Sequence, residues 1–334
     1  MTPLSLSFAA ADYPRIRGVV DGSGPPAGIT LRYLRLTPQE MFWRMLRHAE
    51  FDVSELSMSA YVAGLSRGDA RFIALPVFTL RAFRHSAIFV NARAGIDRPE
   101  DLRGRRIGVP EYHMTACLYA RGMLSDEYAV RADDVNWLQG GLHRPGGEER
   151  VHLDLPESIS LEAIPADRCL DDMLQDGEID ALITPLAPNS FLAGHPDVRR
   201  LFPDARATEL AYYQRTGVFP IMHVVVMRRS LHQDQPWIAG SLQSSFERAK
   251  RRHLEELKTH PAEAYTVPFF QSELESTIEH FGTDFWPYGI ARNQATLQAA
   301  LRYSHEQGLS ARKVELDEMF APSAVDHYVD TYES

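Results

Sequence analysis

The chain is 334 residues long, 44% hydrophobic and 24% charged, the values of a globular protein too large for one comfortable core. Its net charge of −10 argues against a nucleic-acid surface, which needs clustered Lys and Arg. No uninterrupted apolar run reaches the ~18 residues of a membrane span, and Cys117 and Cys169 are too few for a disulfide framework or a structural zinc site.

Residues 1–18 lack a basic lead-in, and Ser5, Ser7 and Asp12 interrupt their apolar stretch. Residues 4–8 therefore read as a first strand and not as a signal peptide, and a cytoplasmic location is expected. Residues 31–36 alternate as a half-buried strand does. Thr37-Pro38-Gln39-Glu40 then forms a capping box with proline at the first helical position, and Met41, Phe42, Met45, Leu46 and Ala49 follow at helical spacing. Residues 72–75 and 87–90 are short apolar runs suited to central strands, with residues 51–59 and 77–86 expected as polar loops.

A second unit opens near Asp97 with a short helix at Asp97-Arg98-Pro99-Glu100. A strand over 106–109 is closed by Pro110, and residues 111–115 lead into a helix through Leu118, Met123 and Leu124. Residues 140–156, rich in glycine and proline, suggest an exposed excursion. A helix over 170–174 stops at Gly177 and is followed by a strand over 179–184. This alternation predicts parallel sheets with crossover helices. Residues 218–227 form a long strand with a bend or edge position at Pro220. Ile238, Leu242, Phe246, Ala249, His253 and Leu257 then mark one long amphipathic helix, and later helices break at Pro268, at Pro287-Tyr288-Gly289 and at Gly308. The basic run Arg248, Lys250, Arg251 and Arg252 reads as a solvated helix face.

The helical C-terminal third has to pack on something. Folding it back gives a first lobe of residues 1–92 plus 223–334 and a second of residues 93–222, with two crossing strands as the hinge and a ligand cleft between the lobes.

Several stretches then carry a resemblance. They are Phe51-Asp52-Val53-Ser54-Glu55-Leu56-Ser57, Phe83-Arg84-His85-Ser86, residues 101–112, Gly177-Glu178-Ile179-Asp180-Ala181, residues 216–223, Asp284-Phe285-Trp286-Pro287-Tyr288-Gly289, residues 303–309 and Met319-Phe320-Ala321-Pro322. In this order, through nearly the whole chain, they resemble the 4,5-dihydroxyphthalate decarboxylase family. Residues 101–110 and 177–181 are generic to type II binding folds, whereas Arg84-His85-Ser86, residues 220–223 and 286–289 are more telling together. The resemblance implies an α/β, two-lobed, periplasmic-binding-protein-like type II fold, with mixed, mostly parallel sheets flanked by helices. It also implies non-oxidative removal of a carboxylate from a hydroxylated aromatic acid, in a cytoplasmic enzyme.

Such a reaction needs an acid near the ring carbon and a base near the phenol, and no redox cofactor. His85, His223 and His113 are the acid/base candidates because imidazole titrates near neutral pH; each could instead be a packed or backbone-satisfying histidine. Glu111 is either a general base or an acid drawn to a helix dipole. Thr115 and Tyr112 lie in the same strand-to-helix segment, where free N–H groups suit a carboxylate, though Thr115 could simply cap the helix. Arg84 could hold a carboxylate bidentately. Glu55, Ser57 and Ser59 offer groups to catechol oxygens, with Ser86, Asn189 and Ser190 as further contacts. Trp286 and Tyr288 could stack on a ring or merely pack. No H-E-x-x-H, G-x-S-x-G, P-loop or Rossmann signature occurs, so neither metal nor cofactor is expected. The expected partner is a small aromatic acid, without nucleic acid or membrane, and a homodimer is compatible with base rates. Two other readings stay open: a solute-binding protein for an organic acid, or another enzyme of this fold acting on a small cyclic metabolite.

Overall fold

The computed structural model describes residues 2–146, 153–259 and 265–325. Eleven strands among them form two sheets: β1 Leu4–Ala10, β2 Ile29–Arg35, β3 Val53–Ser57, β4 Phe72–Arg81, β5 Ile88–Asn91, β6 Arg106–Val109, β7 Asn136–Gln139, β8 Leu161–Ala163, β9 Ala181–Ile183, β10 Val198–Arg200 and β11 Ile221–Arg228. The first sheet has the order β2-β1-β3-β11-β4 and the second β10-β5-β9-β6-β7-β8. In the first, β1 runs parallel to β2 and β3, and β11 is antiparallel to both neighbours. In the second, β9, β6, β7 and β8 are parallel and β5 is antiparallel to β9 and β10. Mixed, mostly parallel sheets flanked by helices are what the resemblance implies; the alternation alone predicts parallel sheets and misses the antiparallel β5 and β11.

The chain changes sheet between Arg81 and Ile88 and returns between Arg200 and Ile221. We propose these segments as the lobe crossings, in place of 92/93 and 222/223, because β5 pairs with β9 and β10. The two crossings touch: Ala82 N–H donates to the Pro220 carbonyl at 3.2 Å, and the rings of Phe83 and Phe219 stack 4.8 Å apart.

Several local expectations are met for the reasons given. The Thr37 hydroxyl accepts from Glu40 N–H, Pro38 opens the helix Pro38–His48, and Ala49 ends it in the left-handed region. Gly177 does the same for Leu170–Asp176, with φ +81°. Other expectations need correction. Residues 51–59 are not a loop: Val53–Ser57 is a strand buried along its whole length, and Met58–Ser66 is a helix. Polar Ser54, Glu55 and Ser57 disguise that strand. β4 continues past residue 77 to Arg81, so only the end of 77–86 is irregular. Pro220 is neither in a strand nor at an edge; it precedes β11, which lies centrally between β3 and β4. Lys250 does not belong to a solvated face: it is fully buried, 2.9 Å from both Glu247 and Asp284. Of the expected excursion over 140–156, residues 147–152 lie outside the described residues.

The helix Trp237–Thr259 covers the first sheet, with Phe246 edge-on to Phe8 at 5.5 Å. Residues 319–321 bond to Ala74 on β4, so the end of the described chain extends that sheet edge. The helix Gln294–Glu306 packs on Thr115–Tyr128 so closely that a Cβ on Gly122 would meet the Tyr303 ring at 2.3 Å. Tyr303 is itself held by its hydroxyl bond to Asp126 at 2.6 Å. Gly122→Ala is therefore expected to cost about 1–3 kcal/mol by overpacking, read as a lowered denaturant midpoint; an unchanged midpoint would show that Tyr303 moves freely.

Candidate active site

In open α/β sheets, ligands bind beyond the carboxyl ends of the parallel strands. Here β1 and β3 end at Ala10 and Ser57, and β11 enters the same rim at Ile221. Register pairs His223 with Ser57 and Val225 with Glu55 across β11 and β3. Since side chains alternate along a strand, Glu55, Ser57 and His223 share one face. His223 Nδ1 lies 2.6 Å from Glu55 Oε1. That oxygen also accepts from the Tyr13 hydroxyl at 2.8 Å, and Glu55 Oε2 accepts from Ala11 N–H at 3.0 Å. No described residue bonds His223 Nε2, and Phe42 packs edge-on to the ring at 4.9 Å.

Glu55 is fully buried. Burial alone would raise its carboxyl, but the hydrogen bond and charge of His223, with Ala11 N–H and Tyr13, outweigh that and hold it below its ordinary value. The Tyr13 phenol is pushed up, first by burial and then by the Glu55 charge, so it remains a donor. Beside it the Arg15 guanidinium lies 4.3 Å from the Tyr13 ring and 4.3 Å from Trp286, and its Nε donates to the Thr79 carbonyl at 2.7 Å.

The second sheet reaches this rim through residues 110–114, between β6 and the helix Thr115–Tyr128. Thr115 Oγ1 is 2.9 Å from Ser57 Oγ and 3.0 Å from Ser59 Oγ, and the Ser59 hydroxyl donates to the His113 carbonyl at 2.5 Å. Thr115 does not cap its helix, because Met114 holds that place; its hydroxyl is spent bridging the sheets. His113 Nδ1 is 3.6 Å from Glu111 Oε2, both buried. Tyr112 is fully buried, its hydroxyl on the Gln307 carbonyl at 3.3 Å, its ring under Arg121 at 3.8 Å.

Arg84 stands at the first crossing and is 9% exposed. Its Nε contacts Met222 Sδ at 3.2 Å, next to His223. Burial lowers it to about 10, so it stays charged at neutral pH. Its charge also reaches the Cys117 thiol in the first turn of Thr115–Tyr128, a thiol that burial pushes up to about 11. Glu55 and His223 thus form a pair, and Ser57, Ser59 and Thr115 form a hydroxyl cluster beside it that reaches the His113 carbonyl, with Glu111 next to His113. Arg84 meets Met222, which alternates to the other face of β11 from His223.

Other predicted residues lie apart from this group. His85 packs between Phe202 and Tyr212, with ring centroids at 5.1 and 5.2 Å, and its Nδ1 has no partner among the described residues. Burial, then Arg215, lowers it to about 4. Ser86 is held by Glu209, which accepts from its N–H at 2.9 Å and its hydroxyl at 2.8 Å. Asn189 N–H and the Ser190 hydroxyl are taken by Asp171. Trp286 is the exception, reaching the Glu55 side through Arg15 at 4.3 Å while its Nε1 donates to the Phe78 carbonyl at 2.9 Å; Tyr288 is buried beside Lys250. Tyr13 and Arg15 were not legible as site residues. The one available signal was their place just past the end of the first parallel strand.

Among the described residues no three His, Cys, Asp or Glu side chains come together as a metal-binding group, and no helix is long and apolar enough to cross a membrane. Comparison with known proteins points one way on chemistry and another on shape. The chain is 40% identical to the 4,5-dihydroxyphthalate decarboxylase of Comamonas testosteroni, over 98% of this chain and 99% of that one. It is also 40% identical to the enzyme of that name from Pseudomonas putida, over 64% of this chain and 83% of that one. A family model described as a phosphonate ABC transporter periplasmic substrate-binding protein matches residues 27–144. In fold the chain resembles the periplasmic aliphatic sulphonate binding protein SsuA from Escherichia coli, with TM-score 0.55 and 12% identity over 97% of this chain and 99% of that one. It likewise resembles the desulfurization enzyme DSZB, with TM-score 0.52 and 17% identity over 97% and 98%.

Proposed function

The chain belongs to the 4,5-dihydroxyphthalate decarboxylase family, and we propose that it removes one carboxylate from a hydroxylated aromatic acid by protonating the ring, as a cytoplasmic enzyme. The observation that carries this reading is the 2.6 Å contact between His223 Nδ1 and the buried Glu55 carboxylate. A carboxylate at Nδ1 fixes the orientation of the ring and leaves Nε2 to deliver a proton.

The steps balance as follows. His223 Nε2 gives its proton to the ring carbon that bears the carboxylate. The hydroxyl para to that carbon gives up its own proton toward the Glu111–His113 side, so the ring passes through a cyclohexadienone. The bond to the carboxylate then breaks and carbon dioxide leaves. The electron pair of that bond restores the aromatic ring, and the oxygen recovers a proton. One proton is consumed for each carbon dioxide released. Ser57 and Ser59 are the hydroxyls offered to the catechol oxygens at the seam between the sheets, with Thr115 holding both in place.

This reading assigns His85 to packing, since a histidine lowered to about 4 is neutral at working pH. Dialysed protein given 4,5-dihydroxyphthalate is expected to release carbon dioxide and 3,4-dihydroxybenzoate in equal amounts, followed by mass spectrometry. Tight binding with no product would instead favour a receptor.

A further inference from the structure

Strand β4 does not keep step with its neighbour β11. From Val225 to His223 β11 advances by two residues, whereas β4 advances by five, from Leu75 to Leu80. The surplus chain, residues 76–79, is a bulge that ends at Leu80, the partner of His223. Buried carbonyls need donors, and three in this bulge draw them from distant parts of the chain. Pro76 accepts from Gly289 N–H at 2.9 Å, and Phe78 accepts from Trp286 Nε1 at 2.9 Å. Thr79 accepts from Arg15, through Nε at 2.7 Å and through Nη2. The Arg15 guanidinium has a second attachment, since it lies over the rings of Tyr13 and Trp286, 4.3 Å from each. Tyr13 in turn donates to Glu55 Oε1, the oxygen that faces His223 Nδ1. One cation therefore touches both supports of the pair: the bulge beside His223 and the phenol on Glu55.

We propose that Arg15 is a positioning residue for the ring-protonating pair, setting the Tyr13 hydroxyl on Glu55 and the β4 bulge beside His223 with one planar side chain. The inference rests on the decarboxylase reading above. A guanidinium can give two N–H groups to one carbonyl and still present flat faces to aromatic rings, which an ammonium cannot. Bulges beside active sites re-aim side chains, and this one is held at its last carbonyl by the same group that packs on Tyr13. Because Arg15 acts through these neighbours, its removal slows the proton transfer and leaves affinity for the ring in place.

Steady-state kinetics of the whole protein on 4,5-dihydroxyphthalate test this. Arg15→Met is expected to lower kcat about tenfold and to change KM less than about twofold. Combined with Tyr13→Phe, the loss should fall short of the product of the two single losses, since the arginine acts partly through that phenol. Wild-type kcat, a raised KM, or losses that multiply overturn the proposal. Proton NMR adds a readout that needs no turnover. The His223 Nδ1–H, identified by loss of its signal in His223→Ala, should resonate far downfield in wild type and should shift or broaden in Arg15→Met. A wild type without that signal, or a signal that Arg15→Met leaves unmoved, overturns the proposal. If Arg15→Met fails to fold by circular dichroism, Arg15→Lys decides. It keeps the charge but loses the flat faces, so kcat should fall about threefold at unchanged KM; any other pattern overturns the proposal. A protein inert toward 4,5-dihydroxyphthalate would sink the decarboxylase reading, and the Nδ1–H signal would still decide Arg15.

Discussion

His223→Ala is expected to lower kcat by about 10³-fold, within the range supplied by general acid catalysis, with KM for the aromatic acid changing far less. The ring lies at a seam, 12% exposed at its side chain, and its removal leaves Glu55 as the group in difficulty. A fully buried carboxylate then keeps only the Tyr13 hydroxyl and Ala11 N–H. Some stability is therefore lost along with rate, which makes rate alone a poor test. Glu55→Gln separates the two effects. It keeps one acceptor oxygen for Tyr13, sets an amide against the Ala11 N–H in place of the other oxygen, and removes the negative charge at Nδ1. The expected result is a fall in kcat of about 10²-fold, with a smaller loss of stability than His223→Ala, which leaves the charge itself buried and unpaired. Tyr13→Phe, which removes one donor from the same oxygen, should produce a smaller loss still. The order His223→Ala, Glu55→Gln, Tyr13→Phe is the signature of a histidine supported through its far nitrogen. Three variants with wild-type kcat at saturating 4,5-dihydroxyphthalate would remove the dyad from the mechanism.

The sequence made the alternation of strands and helices legible wherever hydrophobic periodicity was uninterrupted, as in residues 31–36 and 237–257. It failed at β3 for a reason tied to the site. Ser54, Glu55 and Ser57 are polar residues in a wholly buried strand, tolerable only because Tyr13, Ala11 and His223 meet Glu55, and Thr115 meets Ser57. None of these partners is local in sequence. A strand that breaks the apolar pattern and is then satisfied from far along the chain reads as a loop until the fold is known. The same non-locality hid Tyr13 and Arg15, whose place is fixed by contacts to β3, β4 and Trp286. Glu55 and His223 were legible as candidates through the family resemblance, but their pairing was not, since register alone sets His223 opposite Ser57. Ser86 and Ser190 have the residue types of ligand contacts, yet Glu209 and Asp171 take up their hydroxyls, and Asn189 gives Asp171 its backbone N–H.

His85 should make the protein acid-sensitive in a way that no catalytic role would. Its ring is 2% exposed between Phe202 and Tyr212, and burial, then the charge of Arg215, lowers it from 6.5 to about 4. The unfolded chain binds this proton more readily than the folded one. Stability is therefore fully present above about pH 6.5 and is lost as pH falls toward 4, where the folded form at last accepts the proton. The difference in affinity corresponds to about 3 kcal/mol over that window. Urea titrations at pH 7 and pH 4.5 should show wild type losing about 2–3 kcal/mol more than His85→Phe, which cannot take up the proton. Parallel losses in the two proteins would mean that the histidine is hydrated or already paired, and would return it to the list of possible acids. A steep wild-type loss that His85→Phe abolishes would instead leave His223 as the histidine placed at the seam to give the ring its proton.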